Sequence, residues 1–327
     1  MKVDELLAPR ILVVSGKGGV GKTTVSAALA VIAARTGRKV CVAEVDEKGS
    51  LPRLFGHGDL SYEPTELSPG IWGLNITAEN ALREYLHLQY HMRRLSHVFT
   101  GTHFVDYLAT SAPGINDLLV IRKIWYLEQG PAKGGTNQTY DTIIVDAPAA
   151  GHMLTFVGAP QGFYDAIPVG PIRHQVQWVL DMIEDPARTR VSLVTTAEEM
   201  PVAETIETVE ALHGRLGVGT GPMFANGLYD GLFKQKELSA LNDVDPQDMI
   251  ALARATGLDL DKDDISSAVS YARFLEARRA IQRRHLRVLR AGVDEPIVQL
   301  PFLFSAGLGA PDIITLADVI EARLAAL

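Results

Sequence analysis

Cysteine is nearly absent from this chain: Cys41 is the one thiol in 327 residues. That count excludes an internal disulfide framework and any zinc or cluster site built on several thiolates of one chain. Cys41 lies in the apolar run Val40-Cys41-Val42-Ala43, where a small buried strand residue is expected. Long apolar runs are also lacking, since none reaches the roughly 18 residues that a membrane helix needs. Residues 1–10 carry no apolar signal core, so a soluble, cytoplasmic protein is expected. Positive charge is scarce: Lys and Arg total 31 against 39 Asp and Glu, leaving a net charge of −8. That balance speaks against nucleic acid as the main partner. Aromatic residues make up only 7%, yet the hydrophobic share of 47% suffices for a sizeable core. No internal repeat is visible.

What the chain does have is Ser15-Gly16-Lys17-Gly18-Gly19-Val20-Gly21-Lys22-Thr23-Thr24. The stretch follows the apolar run Ile11-Leu12-Val13-Val14 and leads into an Ala-rich helical pattern over 23–36, closed by Gly37. A strand, a Gly-rich turn and a helix N-terminus in that order form a phosphate cradle, because backbone N–H groups and the helix dipole both favour an anion there. Gly16, Gly21, Lys22 and Thr23 satisfy the spacing G-x-x-x-x-G-K-[ST]. Lys22 is thereby placed for the β/γ-phosphates and the Thr23 hydroxyl for Mg²⁺. The expected ligand is a nucleoside triphosphate.

The rest of the chain fits an α/β protein. Residues 40–44 complete a βαβ unit, and Asp46 follows at the carboxyl end of the strand, where ligands of open α/β sheets lie. A carboxylate there can face the γ-phosphate and orient a water. An apolar strand over 142–145 runs into Asp146, the expected second carboxylate of a magnesium site. The small-residue turn 147–152 then suits a loop that changes shape. His152 in it is open to phosphate, a partner subunit or a structural role. Further strands are predicted at 71–77, 190–196, 222–225 and 297–300. Helices are predicted at 79–93, 96–110, 115–128, 171–183, 201–216, 265–291 and 310–327. The fold expected is a doubly wound, mostly parallel sheet in one domain over 1–327, with a helical insertion at 79–130 and a second helical segment at 228–292. Asn226 ends a strand at a sheet edge, where an amide could read a base. The Arg-rich helix 265–291 reads as a solvated face.

Lys17 departs from a plain phosphate loop. It stands five residues before Lys22, at the loop apex, where a monomer gains little from a second lysine. Between two subunits facing each other at the nucleotide, it could reach the partner's phosphates as an arginine finger does.

Lys17-Gly18-Gly19-Val20-Gly21-Lys22-Thr23 resembles the deviant Walker A loop of the dimeric ATPases. Within that class the chain most resembles the arsenite-pump ATPases and the tail-anchored-protein targeting ATPases. Further matches are Asp46 at the first switch and Pro113-Gly114-Ile115-Asn116-Asp117 for that group's Pro-Gly-Ile-Asp-Glu. Asp146 to Gly151-His152 matches its second switch, Asp-Thr-Ala-Pro-Thr-Gly-His. The resemblance implies an ATP-hydrolysing dimeric switch using ATP and Mg²⁺. In it the loop from Gly16 through Gly18, Gly19, Val20 and Gly21 to Thr24 holds the phosphates, and Lys17 contacts nucleotide in trans. Asp46 activates the attacking water beside Lys22, and Thr23 holds Mg²⁺ with Asp146 acting through water. Asn226, Pro301 and Phe302 flank adenine.

The departures are informative. The first switch reads Asp46-Glu47-Lys48-Gly49-Ser50 instead of Asp-Pro-Ala-His-Ser, and Ala149-Ala150 replace Pro-Thr. The arsenite-binding cysteines and the zinc Cys-x-x-Cys are missing, so neither thiol-bound arsenite nor zinc is expected. The partner is expected to be a second copy or a related ATPase, with an apolar protein client or a membrane protein downstream. Two further readings compete: a nucleotide-timed chaperone for apolar, tail-anchored segments, and a weakly hydrolysing subunit of a heterodimer.

Overall fold

The computed structural model describes residues 1–45, 49–90, 114–130, 138–231, 233, 235–240 and 244–327. Eight strands form one sheet: β1 (Ile11–Gly16), β2 (Val40–Val45), β3 (Thr65–Ser68), β4 (Ile71–Ile76), β5 (Thr142–Ala149), β6 (Thr189–Thr196), β7 (Met223–Leu228) and β8 (Ile297–Pro301). Their order is β3-β4-β2-β5-β1-β6-β7-β8. Every pair is parallel except β3 with β4. The interior strands β1 and β2 are buried at every position, as expected where helices cover both faces and the strand reads as a continuous apolar run.

Alternate residues serve the two faces. Leu12, Val14, Val40, Val42 and Ile144 pack with helix Lys22–Arg35 and the last helix, Ala310–Ala325. Ile11, Val13, Cys41, Ala43 and Val145 pack with helices Ile115–Gln129, Ala150–Ala166, Pro171–Glu184 and Glu199–Ala211. The chain leaves β1 toward β2 on one side and later adds β6, β7 and β8 on the other. The phosphate loop therefore follows the strand where the order reverses, which is where ligands bind in such sheets.

Several expected boundaries move. β5 continues to Ala149, since Ala149 pairs with Gly16, so Asp146 lies inside the strand and the turn expected over 147–152 is divided between strand and helix. The helix Ala150–Ala166 was not anticipated because Gly151, Gly158, Pro160 and Gly162 depress its propensity, and burial of Met153, Phe156 and Val157 overrides them. Asn226 likewise sits within β7 and does not end it. The polar edge strand β3 gave no apolar signal. Part of the acidic stretch before the Arg-rich helix is its cap: Asp261 accepts from the Asp264 N–H at 2.8 Å, and the helix runs Lys262–Gly292. Its arginines are partly engaged, with Arg283 holding the Glu276 carboxyl below the usual range.

Helices Ala78–Tyr90 and Ile115–Gln129 are tied by the buried Lys123, whose Nζ donates to Glu84 at 2.7 Å, while the Tyr62 hydroxyl donates to the same carboxylate at 2.6 Å. The helix expected over 96–110 and the loop expected at 133–137 lie outside the described residues. Among the described residues no helix is long and apolar enough to cross a membrane.

Cys41 is fully buried, and burial pushes its thiol up to about 12. At pH 8 a thiol of that kind is ionised to about one part in 10⁴. Native protein at pH 8 should therefore resist iodoacetamide and react fully once unfolded in guanidinium, as read by intact mass. Rapid labelling of native protein would contradict a closed β2 face.

Candidate nucleotide site

Two glycines make the loop possible. At Gly16, with φ 146°, an added Cβ would lie 2.0 Å from the Val194 carbonyl oxygen of β6. At Gly21, with φ 95°, it would lie 2.3 Å from the Asn226 amide nitrogen. The loop thus passes against its neighbours with no room for a side chain, in backbone conformations that favour glycine. Gly21 is also the residue from which helix Lys22–Arg35 starts.

Lys22 is buried, and its Nζ donates to the Lys17 carbonyl at 3.1 Å, so the ammonium is folded back beneath the loop. Gly18, Gly19, Lys22, Thr23, Thr24 and Ser50 are among the residues lining a cavity of about 410 Å³. Beside it the Thr23 hydroxyl donates to Asp146 Oδ2 at 2.6 Å, and Ser26 Oγ lies 3.4 Å from Oδ1 of the same buried carboxylate. Asp146 reaches Thr23 from β5 because its side chain shares the face covered by helix Lys22–Arg35. Among the described residues no group of three or more His, Cys, Asp or Glu could hold a metal ion.

A second cavity, of about 400 Å³, continues from Gly19, Val20 and Thr24 toward Asn226, Pro301 and Phe302. Asn226 donates its amide to the Val20 carbonyl at 2.8 Å, fixing the loop to β7. Pro301 ends β8, and the Phe302 N–H donates to the Leu228 carbonyl at 2.8 Å. The Phe302 ring stacks on Tyr229 at 5.2 Å and meets Phe304 edge-on at 4.8 Å. Tyr229 and Phe304 carry no motif and were not anticipated. Gln282, on the Arg-rich helix, braces this end by accepting from the Tyr229 N–H and donating to the Gly227 carbonyl.

Lys17 pairs with Glu204 of helix Glu199–Ala211. Both side chains are about one-third exposed (33% and 35%), so the pair contributes no more than about 1 kcal/mol and is easily exchanged for another anion. His152 sits with Nε2 3.4 Å from Asp117 Oδ1, joining helix Ala150–Ala166 to helix Ile115–Gln129 within the chain. Asp46 lies outside the described residues, together with Glu47 and Lys48.

One functional candidate was missed. Glu44 on β2 is fully buried, and its Oε1 accepts from Ser50 N at 3.1 Å, Leu51 N at 3.3 Å and Ser50 Oγ at 3.4 Å. Its sole signal in the sequence is a charge set inside an apolar strand.

A tight loop at a helix N-terminus, a buried lysine folded beneath it and a hydroxyl–carboxylate pair alongside define a P-loop nucleotide-binding protein. Comparison with known proteins narrows this class. Residues 9–168 match the family described as anion-transporting ATPase, ArsA_ATPase. The chain is 29% identical over 307 residues to ATPase BagA of Mycobacterium tuberculosis, covering 91% of this chain and 88% of that one. It is 26% identical over 240 residues to the arsenical pump-driving ATPase of Acidiphilium multivorum, and 25% identical over 217 residues to that of Escherichia coli. Those two matches cover 67% and 61% of this chain but only 40% and 36% of the relatives' lengths. Over residues 9–168 the chain is thus similar to the ArsA family of ATPases.

Proposed function

We propose that this ATPase is a dimeric switch: two subunits close on ATP, hydrolysis reopens them, and the change is passed to a client or partner protein. The observation that carries the reading is the second lysine, Lys17, partly exposed at the apex of the loop and held in its own chain by a weak ion pair to Glu204. A partner's triphosphate competes well against such a pair, because it offers several charged oxygens in place of a solvated carboxylate.

Lys22 would swing from the Lys17 carbonyl to the β/γ-phosphates, Thr24 would meet the α-phosphate, and Asp46 would orient the attacking water. Asn226, Pro301 and Phe302 would flank adenine. The site suits Mg²⁺: its donors are oxygens, it offers a hydroxyl and a carboxylate 2.6 Å apart, and the nearby Glu44 Oε2 is buried with no hydrogen-bond partner. Mg²⁺ takes few protein ligands when phosphates and waters supply the rest. Thr23 would hold it directly and Asp146 through water, and when bound it would neutralise charge on the phosphates. The His152–Asp117 contact offers a route from the second switch to the helical insertion, the surface proposed for the client.

The arsenical pump relatives' names do not transfer to thiol chemistry here, because the single cysteine is buried with its thiol pushed up. A cytoplasmic homodimer, or a heterodimer with a related ATPase, remains the proposed assembly. Phosphate release from Mg-ATP tests the enzymatic part. Wild type should turn over, and Asp46→Asn should slow it on the order of 10²-fold, the scale of a lost general base. Equal rates in the two would sink the role given to Asp46.

A further inference from the structure

The roles above assign no task to the buried carboxylate of Glu44. Glu44 stands in register with Asp146 on one side and with Asn75 on the other. In-register residues of a parallel sheet share a face, and this face is the one from which Asp146 meets Thr23. Oε1 of Glu44 is occupied by residues 50 and 51, which start the short helix Ser50–Leu54 where the first-switch sequence ends. Ser50 Oγ lies 3.4 Å from Glu44 Oε1 and also 3.4 Å from Thr23 Oγ1. One carboxylate therefore borders both the switch segment and the Thr23–Asp146 pair. Its other oxygen, Oε2, is buried with no hydrogen-bond partner, as is Asn75 Oδ1 beside it. Buried polar atoms are rarely left so, and this one asks for a donor that arrives with a ligand.

We propose that Glu44 is a positioning residue of the cation–nucleotide site. Oε1 holds residues 50–51 in place, and Oε2 accepts a hydrogen bond from a water in the hydration shell of the divalent cation. Cation entry and the posture of the first switch are then read by the same side chain. This rests on the nucleotide-binding reading above.

The test uses Mn²⁺ as the probe cation and measures its binding to the ADP-loaded protein by electron paramagnetic resonance. ADP affinity without metal and amide exchange at residues 50–51 are measured in parallel. Glu44→Gln keeps an acceptor for the two N–H groups but replaces the second acceptor with a donor. It should weaken Mn²⁺ about tenfold, the scale of a lost partner to a metal's ligands, while metal-free ADP affinity and protection at 50–51 stay unchanged. Glu44→Asp, which keeps both oxygens, should lose less than about threefold and serves if the glutamine variant misfolds. Mn²⁺ affinity within twofold of wild type in Glu44→Gln would overturn the proposal and leave Glu44 a cap for residues 50–51. A wild type that binds no ADP would overturn the nucleotide reading itself, and this proposal with it.

Discussion

Lys17→Ala should bind Mg-ATP within a few-fold of wild type yet hydrolyse it about 10³-fold more slowly, the scale of a cation supplied across an interface. The separation of the two effects follows from where the residue sits. In its own chain Lys17 turns toward Glu204, away from the buried Lys22 Nζ that lies beneath the loop. Its loss therefore removes little from binding by one subunit and much from the closed pair. Glu204→Gln makes the opposite perturbation. Releasing Lys17 from a partly exposed ion pair should promote closure, but by no more than about fivefold, because such pairs are worth at most about 1 kcal/mol. Rates at limiting protein concentration with saturating ATP, and fluorescent-nucleotide titrations, check both variants. A Lys17→Ala protein that loses affinity and rate together would place the lysine on its own subunit's phosphates.

Lys22→Ala should lower ATP affinity about 100-fold or more. Its ammonium is the buried cation at the base of the loop, and charge-assisted bonds to phosphate are each worth about 1.5–3 kcal/mol. The fold should survive, since helix Lys22–Arg35 keeps its apolar contacts through Val25, Leu29, Ile32 and Ala33. Calorimetric titration with ATP, alongside a thermal melt, separates the two effects. Unchanged affinity would move the phosphates elsewhere.

The phosphate loop was legible because glycine is favoured at position 16 by the close Val194 backbone and at position 21 by a positive φ beside the Asn226 side chain, and those constraints write themselves into the sequence. The central strands were legible because a strand covered on both faces must be apolar throughout. Thr23 and Asp146 were paired by motif, and their hydroxyl–carboxylate contact is 2.6 Å long. What could not be read depends on which strands become neighbours. Glu44 gains its meaning only when β2 lies between β4 and β5. Glu204 is 187 residues from Lys17 along the chain, and nothing local marks it as a partner. Tyr229 and Phe304 meet Phe302 because β7 and β8 end side by side. Helix Ala150–Ala166 was hidden by its own glycines and proline, whose cost is offset by burial against the sheet. The role proposed for Asp46 rests on the sequence alone, as the residue lies outside the described residues.

Light scattering coupled to sizing, on wild-type protein with and without a non-hydrolysable ATP analogue and Mg²⁺, tests the switch most directly. The mass should double only when the analogue is present, and Lys17→Ala should remain a monomer in both conditions. A wild type of the same mass with and without the analogue would contradict a dimer closed by ATP.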